Sequence, residues 1–226
     1  MAETESGLLL IGTRKGLNVL DKKTNKITVL SDKELSDYEI RSIVIDDEGY
    51  VWVGTYKRLV RCSPDFAKVK TYDSSLPVTS VNSVYKDQAG NVWVMFWRKG
   101  LYQYNKQQDT FIRMPRLGKH DNPFRIYQDQ KHRYWLTSWA EGVYRMYPER
   151  DLREMYELVE IDYSNVQEHR ILNNVFGIVE DDKYGYFWMI NSFGLTVTSF
   201  EDNKLKIIDM KDKFNEMNNI FSSIYK

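Results

Sequence analysis

A single cysteine, Cys62, in 226 residues excludes any internal disulfide, so packing and hydrogen bonds alone must hold the chain together. Histidine is scarce as well, and His120, His132 and His169 show no metal-ligand spacing. The common signatures of hydrolases and nucleotide enzymes, G-x-S-x-G, H-E-x-x-H and the P-loop, do not occur. Charge of either sign is not in excess: Lys plus Arg and Asp plus Glu each number 32, so no overall field draws the chain to nucleic acid or an anionic membrane. No apolar run approaches the roughly 20 residues of a membrane span. The start, M-A-E-T-E-S, carries neither the basic region nor the apolar core of a signal peptide, and the chain as written reads as neither secreted nor anchored. Aromatic residues are plentiful. They make up 14% of the chain, with 16 Tyr and 6 Trp, which suits strands and leaves rings for a ligand.

Those rings recur at a fixed register. Trp93 has counterparts at Leu10, Trp52, Trp135 and Trp188, giving spacings of 42, 41, 42 and 53 residues. A glycine turn precedes them at Gly7, Gly49, Gly90 and Gly185, and a Gly-apolar pair follows at Gly16-Leu17, Gly100-Leu101, Gly142-Val143 and Gly194-Leu195. A unit of about 42 residues with three or four short strands is one small sheet that cannot bury its own face, so copies must stack as propeller blades. The expected fold is therefore all-β, a five-repeat β-propeller of four-stranded antiparallel blades forming one domain over 1–226. The blades fall at 7–30 plus 219–226, 40–72, 81–114, 123–162 and 174–209. The C-terminal S-I-Y-K matches S-V-Y-K at 83–86, the innermost strand of the third repeat. On that match Phe221 to Tyr225 is expected to pair with Leu8 to Gly12 and close the ring, since either end alone leaves an unpaired edge. The insertion at 148–170 reads equally as a helical turn or as an outer strand. Trp52, Trp93, Trp135 and Trp188 are expected to be largely buried, each against the next blade.

The pattern V-x-S-V-x-x-D-x-x-G-x-V-W-V-x-T-x-x-G-L, drawn from 81–101 and 40–59, resembles the two-component regulator propeller repeat, over nearly the whole chain. In blades four and five Trp135-Leu136-Thr137-Ser138 and Trp188-Met189-Ile190-Asn191 replace its W-V-G-T. The resemblance implies a periplasmic sensor module of a bacterial membrane-bound regulator that detects polysaccharide breakdown products. Such propellers usually have seven blades, often in tandem rings, followed by a β-sandwich, a membrane helix and kinase parts.

The aspartates of the inner hairpins, Asp46, Asp87, Asp129 and Asp181, each precede a turn, where such a side chain caps its own backbone; no metal or cofactor is expected. Propeller glycosidases need carboxylates on their inner strands. The corresponding positions here are Ser42, Ser83, Arg125 and Gly177, so the chain is not expected to be an enzyme, and a lyase or glycosidase ranks last. The loop between second and third strands, on the face where propellers commonly bind, supplies Arg14, Tyr56, Trp97, Arg98, Trp139 and Phe193 as candidate ligand-binding residues. Loops leading into the inner strands add Tyr38, His120, His169 and Arg170. Rings stack on pyranose faces and guanidinium forks hold carboxylate or sulfate, so an oligosaccharide or similar small ligand is the expected partner. Two other uses of the same rings stand beside it: packing between blades, and docking of a protein partner or second copy in a homodimer.

Overall fold

The structure, a computed structural model, describes residues 1–36, 38–164, 171–181 and 183–208. It is all-β, with five sheets built as β-propeller blades, and comprises two compact units, Met1–Met114 and Pro115–Lys226. In the first unit, blade one contains Ala2–Glu3, Leu8–Thr13, Gly16–Asp21 and Lys26–Val29. Blade two contains Ile40–Ile45, Val51–Thr55, Leu59–Cys62 and Val69–Thr71, and blade three Val81–Lys86, Val92–Phe96, Gly100–Asn105 and Thr110–Arg113. In the second unit, blade four contains Pro123–Gln128, Tyr134–Ser138, Val143–Met146 and Tyr156–Leu158. Blade five contains Val175–Glu180, Phe187–Asn191, Gly194–Glu201 and Lys204–Ile208.

The repeat's residues each have a mechanical reason. Every residue of Val51–Thr55 and Val92–Phe96 is buried, which is why these second strands read as continuous apolar runs instead of alternating. One carboxylate does two jobs in the inner hairpins of blades two to five. Asp46 Oδ1 accepts the amides of Glu48 (3.0 Å) and Tyr50 (2.9 Å), while Oδ2 accepts the Trp52 indole N–H at 2.8 Å. Asp87 and Asp129 repeat this on Trp93 (2.9 Å) and Trp135 (2.8 Å), and Asp181 caps Lys183 and Tyr184 at 2.8 Å each. The expected turn role of these aspartates is what the geometry shows. Hydrogen bonds from the Tyr184 and Lys183 amides hold the Asp181 carboxyl below its ordinary range, with a further contribution from the Trp188 side chain.

Contacts between neighbouring blades are equally specific. A Cβ on Gly54 would stand 2.6 Å from Val81 Cγ1, so the Gly of W-V-G-T is the residue that lets the inner strand of blade three approach. Ser42 Oγ accepts the Val84 amide at 3.0 Å, tying the inner strands of blades two and three together. Trp52 is fully buried against Tyr104 (centroids 4.7 Å apart) and Phe111 (5.9 Å) of blade three. Trp135 packs in the same way against Phe187 and Phe200 of blade five, at 4.8 Å each. Cys62 lies in the core with its thiol pushed up to about 12 by burial, an inert small apolar residue.

Four features differ from the sequence expectation. The edge of Leu8–Thr13 assigned to Phe221–Tyr225 carries Ala2–Glu3 at Leu9 and Leu10; residues 209–226 lie outside the described residues. Blade five has a fifth strand, Glu160–Asp162, which pairs parallel to Lys204–Ile208, so that sheet is neither four-stranded nor wholly antiparallel. The insertion forms both alternatives in succession: a 3₁₀ turn at Leu152–Glu154, capped by Asp151, then the outer strand Tyr156–Leu158 of blade four. Trp188 is half-buried instead of largely buried. Successive strand residues face opposite sides, and Phe187 faces Trp135, so Trp188 lies on the face away from blade four as its register requires, and only its degree of burial differs.

Asp109, in the outer hairpin of blade three, anchors that blade to blade two. It accepts Tyr104 Oη (2.7 Å), Tyr72 Oη (2.8 Å) and Arg61 Nη1 (3.4 Å) and pairs with Lys70. Burial pushes this carboxyl up, but Lys70 and the two tyrosine hydroxyls outweigh it and hold the pKa at about 2. A depressed carboxylate stabilises the fold fully above its ordinary value of 3.8, and the contribution is lost as pH falls from there through about 2. Acid titration of the melting temperature is expected to show that loss, and Asp109→Asn to lower stability at neutral pH while flattening the profile below pH 3.8. An unchanged acid profile in Asp109→Asn contradicts this role.

Candidate functional site

The loops between second and third strands are set by the last residue of the second strand. Thr55 Oγ1 accepts the Lys57 (3.1 Å) and Arg58 (2.9 Å) amides, Thr13 Oγ1 accepts Lys15 (3.1 Å), and Asn191 Oδ1 accepts Phe193 (2.8 Å). Ser138 Oγ instead donates to the Gly142 carbonyl at 3.0 Å. The next residue then bonds back to the chain leading into the inner strand: Tyr56 N to Glu39 O (2.9 Å), Trp97 N to Ser80 O (2.9 Å) and Trp139 N to Asn122 O (3.1 Å). These bonds place each loop beside the start of its blade's inner strand. Tyr56 and Phe193 are each 60% exposed.

In the first unit this construction makes a cleft of about 660 Å³, lined by Tyr38, Arg41, Tyr56, Lys57, Val78, Thr79, Ser80 and Trp97. Arg41 lies 5.3 Å from the centre of the Tyr56 ring, and Lys57 lies 5.5 Å from that of Tyr38, with its Nζ 3.4 Å from the Tyr38 hydroxyl. Arg41 has Glu39 at 3.6 Å, and among the described residues no acidic side chain lines the cleft. Ser80 Oγ is buried and has no hydrogen-bond partner among the described residues, an unusual cost on a cleft wall.

Tyr56 and Trp97 are thus brought together, and Tyr38 joins them. Arg14 and Arg98 are exposed and do not line the cleft; Arg98 is a left-handed turn residue, φ 54°. In the second unit, Trp139 is 38% exposed and lies 5.3 Å from Phe176, which in turn lies 5.2 Å from Phe124. The packing use of that ring is therefore real. Phe193 is exposed. The His120 amide donates to Glu141 Oε1 at 2.9 Å, and His169 and Arg170 lie outside the described residues. Sequence reasoning missed Arg41 and Lys57. Arg41 had a signal, a charge inside the apolar run I-R-S-I-V-I. Among the described residues no group of His, Cys, Asp and Glu could hold a metal ion, and no helix is long and apolar enough to cross a membrane.

Residues 34–57 match the two-component regulator propeller family model. The matched segment carries Tyr38, Arg41, Tyr56 and Lys57 of the cleft. No curated protein matches the sequence. Among solved structures, the chain is similar to the extracellular domain of a proposed one component system of B. thetaiotaomicron, at 18% identity and TM-score 0.74 over 96% of this chain and 28% of that one. It is similar also to the extracellular domain of a proposed hybrid two component system of the same organism, at 15% identity and TM-score 0.69 over 97% of this chain and 31% of that one. A third is virginiamycin B lyase from Staphylococcus aureus, at 13% identity and TM-score 0.68 over 92% of this chain and 68% of that one. The chain spans less than a third of the length of the two extracellular domains. At these identities the likeness is one of fold.

Proposed function

We propose that this chain is a ligand-sensing propeller module of a two-component-type regulator, working outside the cytoplasm, and that it binds an oligosaccharide without turning it over. The observation that carries the reading is the cleft of the first unit, where two aromatic faces, Tyr56 and Trp97, stand with Arg41, Lys57 and a buried Ser80 hydroxyl that has no partner among the described residues. Ring faces stack on pyranose faces, the cations hold hydroxyls or carboxylates, and a sugar hydroxyl satisfies Ser80. The family match at residues 34–57 and the likeness to extracellular domains of regulators support the sensing role and its location.

Calorimetric titration with neutral and acidic oligosaccharides tests it. A ring–sugar stack of about 0.5–1.5 kcal/mol makes Tyr56→Ala and Trp97→Ala each weaken binding roughly two- to tenfold. Tyr56→Ala, being a loop variant, is expected to leave the melting point unchanged. The glycan is recovered intact, and affinity for an acidic glycan falls with added salt. Absence of saturable binding across the panel, or cleavage of the bound glycan, overturns the reading.

A further inference from the structure

Blades two and four share a construction at the outer side of the packing tryptophan, and differ in who completes it. Arg61 stands across from Trp52 with its guanidinium carbon 4.9 Å from the ring, and Arg145 stands across from Trp135 at 5.0 Å. In blade two Tyr50 stacks on that cation at 3.7 Å and Tyr104 Oη (2.9 Å) and Asp109 (3.4 Å) accept from Nη1, while its Nε, like that of Arg145, is buried without a partner among the described residues. In blade four each partner is replaced. The position two residues before the tryptophan, Tyr50 in blade two, is Arg133, 5.5 Å from the same Trp135 ring. The ring of the following blade is Phe200, which has no hydroxyl and lies 5.8 Å from Arg145 and 5.1 Å from Arg133. The hairpin that carries Asp109 in blade three is shortened in blade five to Asp202 and Asn203, and no carboxylate pairs with Arg145 among the described residues. A third guanidinium, Arg150, stacks on Tyr147 at 3.5 Å, and Arg145 lies 5.2 Å from the same ring.

The neighbouring carboxylates are already engaged. Asp129 accepts the Lys131 and Arg133 amides, Arg133 Nε and the Trp135 indole, and Glu157 accepts the Tyr147 hydroxyl at 2.9 Å. Arg145 donates no hydrogen bond among the described residues, and its Nε is buried without a partner. Asp129 pairs with Arg133, and Asp129 and Glu157 act on Arg145 only at a distance, so the donors of Arg145 and Arg150 are left for an anion from outside the chain to accept. We propose that Arg133, Arg145 and Arg150 form an anion-binding site on blade four that takes a carboxylate, sulfate or phosphate group from outside the chain, in the place that Asp109 fills beside blade two. It is separate from the aromatic cleft and does not rest on the oligosaccharide reading.

Calorimetry on the full chain at constant ionic strength, with inorganic sulfate, inorganic phosphate and glucuronate as separate probes, tests the site. Saturable one-to-one binding of at least one is expected; preference for glucuronate indicates a sugar carboxylate, and preference for sulfate or phosphate an ester or free anion. Arg145→Met keeps an apolar stem on Trp135 and is expected to weaken that binding about tenfold or more. The exposed Arg150→Gln, which leaves the fold untouched, weakens it roughly threefold and decides the question should Arg145→Met fold poorly. Heat that never saturates with any probe, or affinity equal to wild type in Arg150→Gln and in a folded Arg145→Met, overturns the proposal.

Discussion

Trp52→Ala is expected to lower the unfolding free energy by about 3–5 kcal/mol, the range for truncating a large aromatic in a packed core. The side chain is 0% exposed and meets Tyr72 of its own blade and Tyr104 and Phe111 of the next, with its indole N–H bonded to Asp46 at 2.8 Å. Its removal opens a cavity between two sheets and leaves the Arg61 guanidinium without one of the rings it lies on, at 4.9 Å. Partial collapse is hindered because Gly54 already brings Val81 within van der Waals contact, so the blades have little room to close further. Trp188→Ala, at a half-buried ring, is expected to cost less than about 2 kcal/mol. Urea denaturation followed by near-ultraviolet circular dichroism separates the two; equal losses, or a loss under about 1 kcal/mol at Trp52, contradict the assignment of the packing register.

That register was legible because it is written in chemistry that repeats. The D-x5-W spacing brings a carboxylate and an indole together across one hairpin, and the structure shows the bond in blades two and three, where a glycine makes the turn, and in blade four, where His132 makes it at φ 60°. Strands paired by their nearest neighbours in sequence followed directly. What did not follow were pairings over longer distance or of minimal length. Ala2–Glu3 is too short to show any alternation, and Glu160–Asp162 joins blade five in parallel across a connection that no turn signal marks. Trp188 illustrates a different limit: periodicity finds the position and the face, away from Phe187 and blade four, but not how fully that face is covered.

The cleft proposed as the site was legible in half. Tyr56 and Trp97 were found because the threonine register fixes where the loop begins, and the backbone bonds to Glu39 and Ser80 then set the rings on the rim. Arg14 and Arg98 follow the same rule in sequence, yet neither reaches the cleft wall. Arg14 sits in the tight connection between Thr13 and Gly16, and Arg98 lies exposed at a left-handed turn residue, φ 54°. The cations that do line the cleft are Arg41, from an inner strand, and Lys57, from the residue after the ring; blade-to-blade comparison does not single out the first because its equivalents are Asn82, Phe124 and Phe176, whereas the second has a cationic equivalent in Arg98 and was readable.

Asp87→Ala is expected to cost about 2–3 kcal/mol, and a double-mutant cycle shows why. Asp87 is 1% exposed, and its two oxygens serve different donors: Oδ1 accepts the amides of Ala89 (3.0 Å) and Asn91 (2.8 Å), while Oδ2 accepts Asn91 Nδ2 (2.9 Å) and Trp93 Nε1 (2.9 Å). Ala89 is exposed and Asn91 half-buried, so their donors regain water when the carboxylate is removed. The Trp93 indole cannot, because its side chain is 1% exposed, and a buried donor stripped of its acceptor costs about 1–3 kcal/mol. Asn in place of Asp87 keeps one oxygen and sets an N–H₂ against one of the two donor groups, so it recovers only part of the loss. In a Trp93→Phe background the orphaned donor no longer exists, and Asp87→Ala is expected to cost about 1–2 kcal/mol less than in the wild type. A carboxylate acting only as a turn cap would cost the same in both backgrounds, and that equality would show that the aspartate and the tryptophan of the repeat are retained for separate reasons.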